Sequence, residues 1–262
     1  MKIIDFHTHI YPAKVAEKAV QSIGGFYGLD MGGTGTSEGL IASGRADGLT
    51  GYVVHSVAVT PERVQTVNDF IAGECEKYPE FYGFGTMHPD FLEKEAEVDR
   101  MLHRGLCGIK LHPDMQFFNI DDPRMMPFYE YLQEKGLPIL FHCGDYRYDY
   151  SHPARLCKVM DAFPELTVIA AHFGGWSVYD LALEYLRDRS CYLDTSSSLH
   201  FIGNTRGKEL IRIYGADRIL FGTDFPMWTA RKELDNIRSM GLTDEELEKI
   251  FYRNAADILG LQ

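Results

Sequence analysis

Lys2-Ile3-Ile4-Asp5-Phe6-His7-Thr8-His9 is the stretch from which the fold is read. Ile3 and Ile4 begin an apolar run of buried-strand character. Strand side chains alternate faces, so His7 and His9 emerge on the same side. Two imidazoles held that way are ready ligands for one borderline-soft ion such as Zn²⁺. A lone His-x-His is a short pattern. Its weight comes from the strands that follow and from the residues at their ends.

Working outward, apolar runs at 52–59, 81–87, 106–111, 138–142, 166–172, 191–194 and 218–224 repeat the strand pattern. Helical patterns separate them at 61–77, 92–103, 127–135, 153–163, 178–187 and 207–214, with 231–240 and 243–259 closing the chain. A short helix is expected at 37–47, and the helical pattern beginning at Tyr11 loosens before residue 29. Thr243 and Glu246 form a capping box for the last helix. Eight strands each followed by helix imply a parallel sheet. The count and the 262-residue length fit a distorted (β/α)8 TIM barrel, one domain over 1–262. An open doubly wound sheet is the alternative, but no glycine-rich dinucleotide turn follows the first strand. Met31-Gly32-Gly33-Thr34-Gly35-Thr36 lacks the lysine of a phosphate loop and is read as a mobile loop, a lid over the site.

A formal net charge of -12 leaves no basic stripe for nucleic acid. No apolar run approaches the ~20 residues of a membrane span, and no secretory segment is evident. Five widely spaced cysteines suit reduced thiols of the cytoplasm better than disulfides or a cysteine-rich zinc site. The expected partner is a small polar molecule, with room for self-association into a homo-oligomer.

In a barrel of this type chemistry sits at the carboxyl ends of the strands. Those ends carry His7 and His9, Lys110, His142, His172 and Asp224. Lys110, His142 and His172 follow one another at roughly 30 positions, about one strand–helix unit each. A cluster of unpaired polar groups inside an ordinary core would be costly, which favours a metal site. Asp5 and Asp194 are candidates to orient ligand imidazoles. His55 and His88 are read as core or loop histidines, and His103, His152 and His200 as surface residues. His112 and Arg147 are candidates to contact substrate, Arg147 by holding a carboxylate.

Asp5-Phe6-His7-Thr8-His9, the strand-ending His142 and His172, and Gly222-Thr223-Asp224-Phe225-Pro226 together resemble the amidohydrolase superfamily, in particular its amidohydrolase-related branch. That branch includes small-carboxylate hydrolases, lactonases and aromatic-acid decarboxylases. The resemblance implies a metal-dependent barrel holding one or two divalent ions, zinc foremost. It implies His7, His9, His142 and Asp224 as ligands, Asp224 as the general base on a metal-activated water, and His172 beside the metal. Gly108-Ile109-Lys110-Leu111-His112-Pro113 resembles the segment in which a carboxylated lysine bridges two metals, which adds Lys110 to the ligands. The related decarboxylases usually lack that lysine and often carry an acid in place of the first histidine. Both histidines are present here, so hydrolysis of a C–N or C–O bond in an amide, cyclic imide or lactone is the expected reaction. The alternative is a non-oxidative decarboxylase or hydratase on the same barrel.

Overall fold

The computed structural model describes residues 1–261. Its strands are β1 (Ile4–His9), β2 (Gly51–His55), β3 (Phe81–Gly85), β4 (Gly108–Leu111), β5 (Ile139–Phe141), β6 (Val168–Ala170), β7 (Tyr192–Asp194) and β8 (Ile219–Leu220). They form one eight-stranded sheet in the order β1 to β8. Closure runs through β1 and the end of β8: Phe6 N donates to Phe221 O at 2.8 Å, His9 N to Phe225 O at 2.7 Å, and Asp224 N to His7 O at 2.9 Å. The fold is the expected (β/α)8 barrel.

The helices are α1 (Ala13–Tyr27), α2 (Ser37–Arg45), α3 (Val64–Lys77), α4 (Lys94–His103), α5 (Pro113–Gln116) and α6 (Met126–Lys135). They continue with α7 (Pro153–Ala162), α8 (Tyr179–Leu186), α9 (Leu199–Tyr214), α10 (Ala230–Arg238), α11 (Asp244–Glu248) and α12 (Asn254–Leu259). None is long and apolar enough to cross a membrane among the described residues.

Contacts gather the described residues into two compact units, one of Met1–His55, Glu76–Tyr82 and residues 195–261, the other of Ser56–Cys75 and Gly83–Asp194. In the first, Phe6, Val53, Val54, Leu220, Phe221 and Phe251 are fully or almost fully buried. In the second, Phe84, Ile109, Leu111, Ile139, Phe141 and Ile169 have no exposed surface. Strands buried this way read as continuous apolar runs, which is why their pattern is plain in the sequence.

Several expectations change. The strands are shorter than their apolar runs because the chain leaves the ladder before the run ends: His172 and Asp224 lie beyond β6 and β8 with φ of 59° each. Helix α1 is regular to Tyr27 and stops at Gly28, whose φ of 67° is a left-handed cap. Helix α9 begins at Leu199, well before the expected 207, because Gly203 at φ 71° breaks the helical backbone and hides the periodicity ahead of it. The expected helix at 243–259 is α11 and α12 joined by a π-turn at Lys249–Arg253, and its Thr243–Glu246 capping box is formed. The glycine-rich stretch is pinned, not a free lid. Gly32 N and Gly33 N donate to Met227 O and Pro226 O at 3.1 and 2.9 Å. A Cβ on Gly33 would come within 2.5 Å of the Phe225 ring, so only glycine fits that approach.

Candidate metal centre

The first unit carries the pair predicted from β1. Asp5 braces it: Oδ1 accepts from His7 N at 3.2 Å and Thr223 N at 3.0 Å, and Oδ2 accepts the Thr223 hydroxyl at 2.6 Å. Thr8, pointing the other way, donates to Val53 O at 2.7 Å. These bonds fix the backbone from which His7 and His9 project. His7 Nδ1 lies 3.0 Å from Ser196 Oγ, which leaves Nε2 facing its neighbours. His7 Nε2 and His9 Nε2 are 3.3 Å apart. Each is also 3.3 Å from Asp224 Oδ1. Three donor atoms thus form an equal-sided triangle. Ligands of a four-coordinate ion at ~2.0–2.1 Å stand roughly 3.3 Å from one another, so the triangle has the dimensions of one face of such a donor set.

Asp224 is held by its other oxygen. Ser197 Oγ donates to Oδ2 at 2.5 Å and accepts from Trp228 Nε1 at 2.9 Å. Ser197 has a φ of 47° and Asp224 one of 59°. Left-handed backbone at non-glycine residues is a strained conformation found disproportionately at functional sites. Burial, and after it the Asp224 charge, raise the Tyr11 phenol well above its ordinary value, so Tyr11 keeps its proton beside the carboxylate.

The second unit carries His112, His142 and His172. His142 Nδ1 and His172 Nε2 are 3.0 Å apart, and His142 Nε2 is 3.1 Å from Gly144 O. Both ring nitrogens of His142 are therefore engaged, and ligation by His142 requires one of them to be released. The His112 ring stacks on His142 at 3.9 Å with 8° between planes, and His112 Nδ1 caps α5 by accepting from Met115 N at 3.3 Å. Asp114, from α5, lies 3.5 Å from His142 Nε2 and accepts the Ser151 hydroxyl at 2.5 Å. Burial pushes its carboxyl up to about 6. Asp194 Oδ1 accepts His172 N at 3.0 Å. Lys110 has no exposed surface. Arg147 is already matched: its Nη2 is 2.7 Å from Asp145 Oδ2 and its guanidinium lies over the Tyr148 and Trp176 rings at 5.4 and 5.7 Å.

Ser196, Ser197, Asp114 and Trp228 belong to no motif of the sequence. The Thr195–Ser198 run behind β7 was the one available signal. His55, read as a core or loop histidine, stands beside His7 and His9 with ring centroids 5.0 and 4.4 Å away. His152 is the N-cap of α7, its Nδ1 accepting from Ala154 N at 3.1 Å.

Buried imidazoles with a carboxylate fit a divalent ion, and the ligand atoms of His7, His9 and His55, and of His112, Asp114 and His142, lie within 4.8 Å of one another in each group. Such residues at the strand ends of a (β/α)8 barrel define the class as a metal-dependent barrel enzyme. A model of the Amidohydrolase family matches residues 4–261, and the chain belongs to that family. Decarboxylase orsB of Emericella nidulans is 27% identical over 38% of this chain and 36% of its own. The 2-amino-3-carboxymuconate-6-semialdehyde decarboxylase of Dictyostelium discoideum is 23% identical over 75% of this chain and 66% of its own. The chain thus spans 36% and 66% of the lengths of these curated relatives. The solved 5-carboxyvanillate decarboxylase of Novosphingobium aromaticivorans, complexed with manganese and 4-hydroxy-3-methoxy-5-nitrobenzoic acid, is similar in fold: TM-score 0.76 at 18% identity, covering 99% of this chain and 96% of that one.

Proposed function

We propose that this protein is a metal-dependent decarboxylase of a small aromatic or unsaturated carboxylic acid. The observation that carries metal dependence is the 3.3 Å triangle of His7 Nε2, His9 Nε2 and Asp224 Oδ1. What favours decarboxylation over the expected hydrolysis is that the relatives named above are decarboxylases. Keeping both histidines of the His-x-His pair does not decide the reaction, because an imidazole and a carboxylate both serve as ligands of the same ion.

His7, His9 and Asp224 would hold the ion, with His142 joining them by the family likeness. Imidazole and carboxylate donors suit zinc and manganese alike. A bound divalent ion supplies a Lewis acid that grips the substrate's oxygens and draws charge from its carbon skeleton. The carbon bearing the carboxylate must take a proton, after which the C–C bond breaks, its electrons return to the skeleton and CO₂ leaves. Asp224 in its protonated form would deliver that proton, with Ser197 fixing the orientation of its carboxyl group. His172, hydrogen-bonded to His142, would stabilise charge on the substrate or replenish the proton. His112 and Arg147 would line the substrate's surroundings, Arg147 acting as a charge already shared with Asp145. Lys110, if carboxylated, would bridge a second ion towards His172, and anomalous diffraction at the metal edge counts the ions.

The test is product analysis on metal-loaded protein with a panel of hydroxybenzoates and unsaturated dicarboxylates beside amides, cyclic imides and lactones. Metal-dependent CO₂ release is expected. Ring opening or amide cleavage without CO₂ would return the reading to hydrolysis, and bound metal with no turnover on either panel would defeat both.

A further inference from the structure

We propose that His55 is a further ligand of the metal centre, joining His7, His9 and Asp224. This rests on the metal-dependent reading above. The placement follows from strand register. His9 and His55 are Cα partners at the carboxyl ends of the adjoining parallel strands β1 and β2, and Ile10 N donates to His55 O at 3.2 Å. Side chains of register partners on neighbouring strands leave the sheet on the same face, so His55 lies on the face that carries His9.

The three rings are neighbours. His9 and His55 meet edge to face at 4.4 Å and 89°, His7 and His55 at 5.0 Å and 69°, and His7 and His9 are tilted at 5.2 Å and 46°. No pair is stacked face to face. One ligand nitrogen from each of the three lies within 4.8 Å of those of the other two. His7 and His9 are shared between that group and the triangle with Asp224, so His55 adds a third imidazole beside the pair.

A packing role accounts for less. His55 has no exposed surface, and an apolar side chain would fill the same place without a polar edge to satisfy. All four proposed ligands lie within the first unit, on β1, β2 and the turn after β8.

The test measures metal affinity, not turnover. Zinc binding by chelator competition and the visible absorption of the cobalt-loaded protein are compared for wild type, His55→Ala, His55→Phe and His7→Ala. Loss of one ligand is expected to weaken zinc binding at least ten- to a hundred-fold in both His55 variants and to change the cobalt spectrum. If the folded His55 variants bind both metals as wild type does while His7→Ala loses them, His55 is a packing residue and the metal reading stands. If His7→Ala also binds normally, the underlying reading falls as well. Anomalous diffraction from zinc-loaded wild-type crystals asks the same question without a substitution. An ion about 2.0–2.1 Å from a His55 nitrogen supports the assignment, and an ion bound elsewhere overturns it.

Discussion

Ser197 donates its hydroxyl hydrogen to Asp224 Oδ2 at 2.5 Å. A hydroxyl has one hydrogen, so the Trp228 indole N–H, 2.9 Å away, must donate to Ser197 and the direction of the chain is fixed. The two oxygens of Asp224 are thereby given different duties, Oδ2 to Ser197 and Oδ1 to the imidazoles of His7 and His9. Ser197→Ala should lower CO₂ release about ten-fold or more while the thermal unfolding profile changes little. The side chain is small, and what it loses is one charge-assisted hydrogen bond. Trp228→Phe should have the same sign and a smaller effect, since the serine retains its bond to Asp224. A Ser197→Ala enzyme with wild-type turnover would remove this bond from the mechanism.

Asp224→Asn tests the carboxylate itself. The amide keeps the volume and the Ser197 contact but neither delivers nor accepts the proton. A loss of about 10²-fold or more in turnover is expected for a general acid–base group. Circular dichroism should be unchanged. Full activity in this variant would take Asp224 out of proton transfer.

Metal content follows from the same triangle of donors. Elemental analysis of the His7→Ala/His9→Ala double variant should show little divalent metal beside a loaded wild type. Two of the three donors of the triangle are gone, and the donors that remain bind weakly. Equal metal in both proteins would contradict the centre.

The barrel was legible because each strand lies in a short, largely apolar run, a pattern that needs no knowledge of partners. The candidate ligands were legible where a histidine or aspartate stands at the end of such a run, as His142, His172 and Asp224 do. His55 also ends an apolar run, yet a single histidine there looks the same whether it packs in a core or meets other imidazoles. Its role is visible only through its register with His9. Ser197 was illegible for another reason. Its contact with Asp224 joins residues far apart in sequence through a left-handed backbone at both, and a serine run has many local uses. Asp114 was hidden because it lies on α5, a four-residue helix opened by Pro113 and too short to leave a helical pattern in the sequence.

Stability should fall as pH rises through neutrality, and Glu233 is the reason. It lies on α10 with 1% of its surface exposed. Burial pushes its carboxyl up to about 7 from an ordinary 4.5, with Lys232 opposing the rise and Asp5 adding to it. The folded state therefore holds this proton over a range in which the unfolded chain has lost it. By linkage, the stabilisation is complete below about 4.5 and is lost as pH climbs through about 7. The difference is on the order of 2 kcal/mol for a shift of this size, discounted for relaxation around the charge. Glu233→Gln, neutral at every pH, should escape that loss. At pH 8 the variant should melt roughly 5 °C above wild type, and near pH 5 the two should nearly coincide. Thermal unfolding followed from pH 5 to 8 decides it. Parallel curves for the two proteins would show that Glu233 does not carry the proton.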